Sequence, residues 1–173
     1  MPSSNLGVWP EIISLVHQVP HERILDVGAG WGKASVLLYE YLNVKPHRID
    51  AIEAEKAYVD RHGLTVKYDE VLVGDVCDLP SDEFDRWDLV LMVDVLEHLD
   101  DERAFELLRR IRPRVIICTP VDWFQTDEGL PESETHRSHW SDVSWNIIRG
   151  WRPTEACYQS IGAWLVMLGP LPS

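Results

Sequence analysis

Cysteine is scarce and scattered. Cys77, Cys118 and Cys157 are the only three in the 173-residue chain. An odd, widely separated set supplies neither a disulfide scaffold nor a close CxxC ligand pair. Basic residues are few as well: 16 lysines and arginines stand against 29 acids, a formal charge of −13. That balance argues against a broad nucleic-acid footprint or binding to an anionic membrane surface. The one dense basic run, Arg103, Arg109, Arg110, Arg112 and Arg114, reads as a solvated helix face and its end. No apolar run approaches the length that crosses a bilayer, and the N-terminus lacks a basic stretch followed by an apolar core. A cytoplasmic, membrane-free protein is the expectation. Internal repeats and low-complexity tracts are absent.

Two familiar phosphate-binding loops are missing too. The dinucleotide fingerprint GxGxxG would place its last glycine at position 33, where the chain has Lys33. A P-loop requires Gly-Lys-Ser/Thr after a longer loop, and here Ala34 follows Lys33.

What the chain does have is Arg23-Ile-Leu-Asp-Val-Gly-Ala-Gly-Trp-Gly-Lys33. A short apolar strand runs into Gly28, Gly30 and Gly32, and a helix-compatible segment follows. Such a turn lets backbone approach a ligand closely at the carboxyl edge of an open α/β sheet. An apolar fraction of 45% supports a real core. The length suits one domain over 1–173, with an N-terminal helix at 8–19 and an acceptor loop at 120–140.

Pro10 can open that first helix, in which Ile12, Ile13 and Val16 recur at helical spacing; Pro20 ends it. Strands follow at Ile24–Val27, Arg48–Glu53 and Val71–Val73, with helices at Lys33–Leu42 and Ala54–His62. Trp87–Val93 reads as a second central strand without polar alternation, as expected when both sheet faces are covered. Asp100 or Asp101 caps a helix whose Ala104, Leu107, Leu108 and Ile111 form an apolar stripe. Val115–Cys118 is the next strand. After the irregular Asp122–His139 excursion, Ser141 or Asp142 starts a helix through Ile148. Short strands near Glu155–Tyr158 and Trp164–Leu168, with Gly162 between them, make a terminal hairpin. The order predicts a mainly parallel sheet with an antiparallel finish.

Acids sit at successive strand ends. Asp26 can accept hydrogen bonds from the glycine turn or a cationic ligand. Glu53 can receive both hydroxyls of a ribose. Asp75 can accept an exocyclic adenine amine, with the Val76 backbone N–H beside it as a donor to the ring.

Together these stretches resemble the class I S-adenosylmethionine-dependent methyltransferase family. Ile24-Leu-Asp-Val-Gly-Ala-Gly-Trp-Gly32 is similar to its first motif, Ile52-Glu53 to its ribose-binding strand end, and Gly74-Asp75-Val76 to its adenine turn. Leu89-Val-Leu-Met-Val-Asp-Val-Leu-Glu-His98 resembles the strand that passes the methionine moiety. The resemblance implies a Rossmann-like three-layer sandwich with a seven-stranded, mainly parallel sheet and an antiparallel C-terminal hairpin. It further implies S-adenosyl-L-methionine as cofactor, with Asp26, Gly28, Ala29, Gly30, Gly32, Glu53, Ala54, Asp75, Val76 and Val93 around it. The positive sulfonium already activates the methyl group, so the protein must chiefly align acceptor, methyl and leaving sulfur.

Acceptor-side candidates are His98, beside Glu97 after the fourth strand, and His136 and His139 on the long loop with Glu132 and Glu134. Each histidine is a candidate base or orienter of an oxygen. His-x-x-His with a carboxylate can also hold a metal, but spacing alone assigns none here. Trp31, Trp123 and Trp140 are candidates for the pocket wall. The chain has Asp94-Val-Leu-Glu97 where DNA and N-directed RNA methyltransferases carry an Asn/Asp-Pro-Pro-Tyr/Phe-type sequence. A small-molecule acceptor is therefore the expectation. RNA or protein methylation, or a scaffold that retains the cofactor without transfer, stand as alternatives. Specificity would come from the N-terminal helix, the excursion or another protomer, which leaves a homodimer open.

Overall fold

The computed structural model describes residues 6–121 and 135–172; Trp123, Glu132 and Glu134 fall outside the described residues. Seven strands form one sheet in the order β3-β2-β1-β4-β5-β7-β6. They are β1 (Arg23–Val27), β2 (Arg48–Glu53), β3 (Val71–Val73), β4 (Leu89–Val93), β5 (Arg114–Pro120), β6 (Thr154–Ser160) and β7 (Ala163–Leu168). The first five pair in parallel, and β7 pairs antiparallel with both β5 and β6. The expected sheet and its closing hairpin are present.

Helices cover both faces. They are α1 (Trp9–His17), α2 (Lys33–Tyr41), α3 (Lys56–His62), α4 (Asp101–Arg110) and α5 (Asp142–Arg149). Successive strand residues point to opposite faces, and the core divides accordingly. Ile24, Ile49 and Leu89 join Ile12, Leu38 and Val59 of α1 to α3 in one cluster. Leu25, Val90 and Val115 join Leu107, Trp145 and Ile148 of α4 and α5 in the other. Every residue of β4 is buried, which explains its lack of alternation.

Local chemistry sets the element ends. Asp100, rather than Asp101, caps α4 by accepting the Arg103 amide at 3.0 Å. Ser141 and Ser144 form a reciprocal capping box on α5. α3 begins at Lys56, two residues later than its sequence pattern suggests. The reason is Glu53: its carboxylate accepts the Glu55 amide at 3.0 Å, and Glu55 stays extended at φ −93°, ψ 100°. The N-terminal segment is a 3-10 turn over Leu6–Val8 followed by α1, with Pro10 in its first turn. No helix among the described residues is long and apolar enough to cross a membrane.

Candidate active site

The carboxyl ends of β1, β2, β3 and β4 meet around a cavity of about 410 Å³. This is the edge where open α/β sheets bind ligands. Gly28 follows β1 at φ +69°, and a Cβ there would meet Val95 Cγ2 at 2.8 Å. Only glycine fits both the dihedral and the space. Gly32 serves differently: it starts α2 at φ +75°, and a Cβ would meet Lys67 Cδ at 2.7 Å. It lines neither this cavity nor the smaller one described below.

Glu53 is buried, and each of its oxygens takes a backbone amide. Oε2 accepts Gly30 N–H at 2.8 Å and Oε1 accepts Glu55 N–H at 3.0 Å. The acid ending β2 thus pins the glycine turn after β1, and lone pairs remain for further donors. Asp75 is held as firmly. Its Oδ1 accepts Cys77 N–H at 2.8 Å and its Oδ2 accepts Arg103 from α4 at 2.7 Å. These bonds hold its carboxyl below the usual range, although burial opposes them as the largest single influence. Gly28, Gly30, Glu53, Ala54, Asp75 and Val76 all line the large cavity, as do His98, Arg103 and Arg137.

A smaller crevice of about 50 Å³ adjoins it and shares Gly28, Gly30 and Asp94. Asp26, Ala29 and Val93 line this one, together with Trp9, Trp31 and Lys33. Asp26 accepts the Tyr68 hydroxyl at 2.5 Å. Burial pushes its carboxyl up to about 7; the Tyr68 bond opposes this and the Glu53 charge adds to it. Asp94 closes β4 with φ +54°, a strained value for a non-glycine residue, of the kind that gathers at functional sites.

Beside His98 of the large cavity, Glu97 and His136 complete a group in which each residue brings one ligand atom within 4.8 Å of the others. The two imidazoles meet edge-on, with centroids 5.0 Å apart. Glu97 is 3% exposed and accepts Thr119 Oγ1 at 3.0 Å. Its carboxyl sits well above the ordinary value through burial, reinforced by the Asp94 charge. His98 Nδ1 lies 3.2 Å from the Thr135 carbonyl. The carbonyl can only accept, so the bond is Nδ1–H to oxygen, which leaves Nε2 bare in the neutral ring. Burial lowers the His98 pKa despite that bond, and neighbouring His136 lowers it further. His139 is exposed and outside this cluster. Arg137 N–H donates to the Glu97 carbonyl at 2.7 Å.

Trp140 does not wall the cavity. It is 2% exposed and stacks on Trp145 at 4.8 Å within the α4–α5 core. Trp31 does border the smaller crevice. Nothing in the sequence marks Arg103 or Arg137 as a site residue. Arg103 lies in the first turn of α4, which packs beside the Asp75 turn. Glu97 reads in the sequence as half of a Glu-His pair, yet nothing local announces that it lies near His136.

The methyltransferase-domain family model matches residues 24–115, just over half of the chain. A search of curated proteins finds no match. Among solved structures, the PH0226 protein from Pyrococcus horikoshii superposes with TM-score 0.68 at 16% identity, covering 95% of this chain and 88% of that one. The N-terminal domain of EvdMO1 with S-adenosylhomocysteine bound gives 0.67 at 16% identity, covering 98% and 83%. The small RNA methyltransferase HEN1 gives 0.70 at 14% identity; all of this chain aligns, but it spans only 27% of HEN1. Fold and strand-end cavity define an S-adenosylmethionine-dependent methyltransferase. The chain belongs to the methyltransferase-domain family.

Proposed function

We propose that this enzyme methylates an oxygen of a small hydroxyl-bearing molecule, and that Glu97, His98 and His136 hold a divalent cation on the acceptor side. The donor is placed with its ribose on Glu53, its adenine at Asp75 and Val76, and its sulfonium near the end of β4. The observation that carries the acceptor reading is the Glu97–His98–His136 triad, whose His98 lines the donor cavity.

The donor set fits a cation. Two imidazoles and a carboxylate suit a first-row divalent ion such as manganese, cobalt or zinc. Thr119 orients Glu97, and the Thr135 carbonyl fixes the His98 tautomer, as outer partners of metal ligands do. A cation there would polarise a bound hydroxyl and make it more acidic. The protein's own task is then alignment of that oxygen with the methyl group. This departs from the sequence reading, which assigned no metal and grouped His136 with His139. The net charge of −13 favours a small acceptor over a polyanion.

The test is methyl transfer from isotopically labelled donor to separate pools of hydroxylated metabolites and small RNAs, with and without chelator. Label is expected in the metabolite pool, lost with EDTA and restored by manganese or cobalt. Glu97→Gln and His136→Ala should lower turnover at least about a hundredfold while S-adenosylhomocysteine still binds. Chelator-insensitive transfer would remove the cation; label confined to RNA would remove the small acceptor.

A further inference from the structure

Acids dominate the lining of the large cavity, where Glu53, Glu55, Asp75 and Asp94 stand with two arginines, Arg103 and Arg137. The arginines belong to no motif in the sequence. Arg103 is committed to the fold, since it donates to Asp75 from α4 at 2.7 Å. Arg137 is placed differently. It follows His136 in the chain, it is exposed, and it lines the same cavity as His98.

The segment that carries Arg137 is latched onto the Leu96–His98 turn. Arg137 N–H donates to the Glu97 carbonyl at 2.7 Å, and Ser138 N–H donates to the same oxygen at 3.2 Å. Ser138 Oγ donates to the Leu96 carbonyl at 2.9 Å and accepts the Trp140 indole N–H at 3.0 Å. The Arg137 backbone is thereby held at the turn that supplies Glu97 and His98, one residue from His136. With its N–H used on Glu97, its remaining donors are those of the guanidinium. That planar fork matches the oxygens of a carboxylate or a phosphate and pairs with them strongly. An anion entering among these acids meets repulsion, which a guanidinium beside the triad offsets locally. One guanidinium and one divalent cation compensate a single anionic group, not a chain of them, in keeping with a net charge of −13.

We propose that Arg137 binds an oxyanion carried by the acceptor. The molecule methylated is then a hydroxyl compound with one carboxylate or phosphate group a few bonds from the accepting oxygen. Its hydroxyl lies on the His98 and His136 side, and its oxyanion lies on Arg137. Arg137 selects anionic over neutral hydroxyl compounds and takes no part in holding the donor. This rests on the acceptor reading above.

The experiment splits a metabolite pool on an anion exchanger and gives each fraction isotopically labelled donor and manganese. The full chain is compared with its Arg137→Met and Arg137→Lys variants. Label is expected in the retained, anionic fraction; its loss after phosphatase pretreatment identifies a phosphate, and its survival a carboxylate. Arg137→Met should raise the apparent KM for that fraction about tenfold or more while kcat stays within about threefold. Arg137→Lys should recover part of the loss, and S-adenosylhomocysteine affinity by calorimetry should hold in both variants. Label in the unretained neutral fraction, or an unchanged KM in Arg137→Met, would overturn the assignment and leave oxygen methylation standing. A matching loss of S-adenosylhomocysteine affinity would overturn it too, because Arg137 would then serve the donor. Label confined to RNA, or transfer indifferent to chelator, would remove the acceptor reading itself, and this proposal with it.

Discussion

Asp26 combines two demands on one carboxyl group. It is buried beneath the glycine turn, bonded to Tyr68 and close to the charge of Glu53. Without ligand, burial favours the proton, and the group is pushed up to about 7. The ammonium and sulfonium of an incoming donor favour the opposite state, because a nearby cation stabilises a carboxylate. Donor binding should therefore release a proton from Asp26, and affinity should climb as pH rises toward and through about 7 before levelling. Asp26→Asn should flatten that climb in a titration series from acid to mildly alkaline buffer. The linked stability effect has the opposite slope. The folded value lies above the unfolded one of about 4, so the folded chain keeps a proton that the unfolded chain has released. Unliganded stability from this group is full below about pH 4 and is lost as pH rises to about 7. A variant that keeps the full slope would show that another group governs donor binding.

Elements were the most legible scale. The glycine turn, the acids ending β2 and β3, and the apolar runs of β1, β4 and β5 all have strong local signatures, and each is where its pattern puts it. What escapes is set by side-chain partners that no periodicity marks, most of them distant in sequence. The start of α3 is delayed by a side chain bonding two residues forward. Arg103 reads as a solvated helix residue, yet 28 positions separate it from Asp75, which it clamps. Glu97 and His136 come near one another because Arg137 N–H and Ser138 N–H both bond back to the Glu97 carbonyl. Trp140 has the composition of a pocket wall and the packing of a core residue.

The β6–β7 hairpin shows a local rule being broken. Ser160 pairs with Ala163, leaving Ile161 and Gly162 as a two-residue connection, with φ +50° and +76°. Positive values at both positions define the primed turn that matches strand twist, and Asn-Gly is its usual sequence. Isoleucine is β-branched and pays a steric cost of about 1–2 kcal/mol in that conformation. Gly162 is legible as a turn residue from its type, whereas nothing about Ile161 announces its positive φ. Ile161→Asn should raise the urea midpoint by an amount worth about 1 kcal/mol, with an unchanged denaturant slope. No gain would mean that the exposed isoleucine makes compensating contacts at the binding edge.

Across the whole molecule, the two ends of the sheet have different work. The carboxyl ends of β1 to β4 carry the cavity, whereas the opposite edge is tied by Arg152. That side chain is 1% exposed and donates to the carbonyls of Gly169, Leu108 and Ile111, each at 2.8 Å, and to that of Pro113. It thus joins the end of α4, the entry to β5 and the exit from β7 through one guanidinium. Burial lowers its pKa to about 10, partly offset by Glu155, so it remains charged at neutral pH. Arg152→Met would preserve much of the apolar stem but leave four carbonyls without their donor. The expected cost is about 3 kcal/mol or more, a large share of the 5–15 kcal/mol typical of a domain. Since these contacts lie at the end of the sheet away from the glycine turn, S-adenosylhomocysteine affinity should stay within about twofold wherever the variant is folded. Saturating ligand should then recover part of the lost midpoint by mass action. A variant with full stability, or one that loses ligand affinity while still folded, would show that stability and binding are not divided between the two edges in this way.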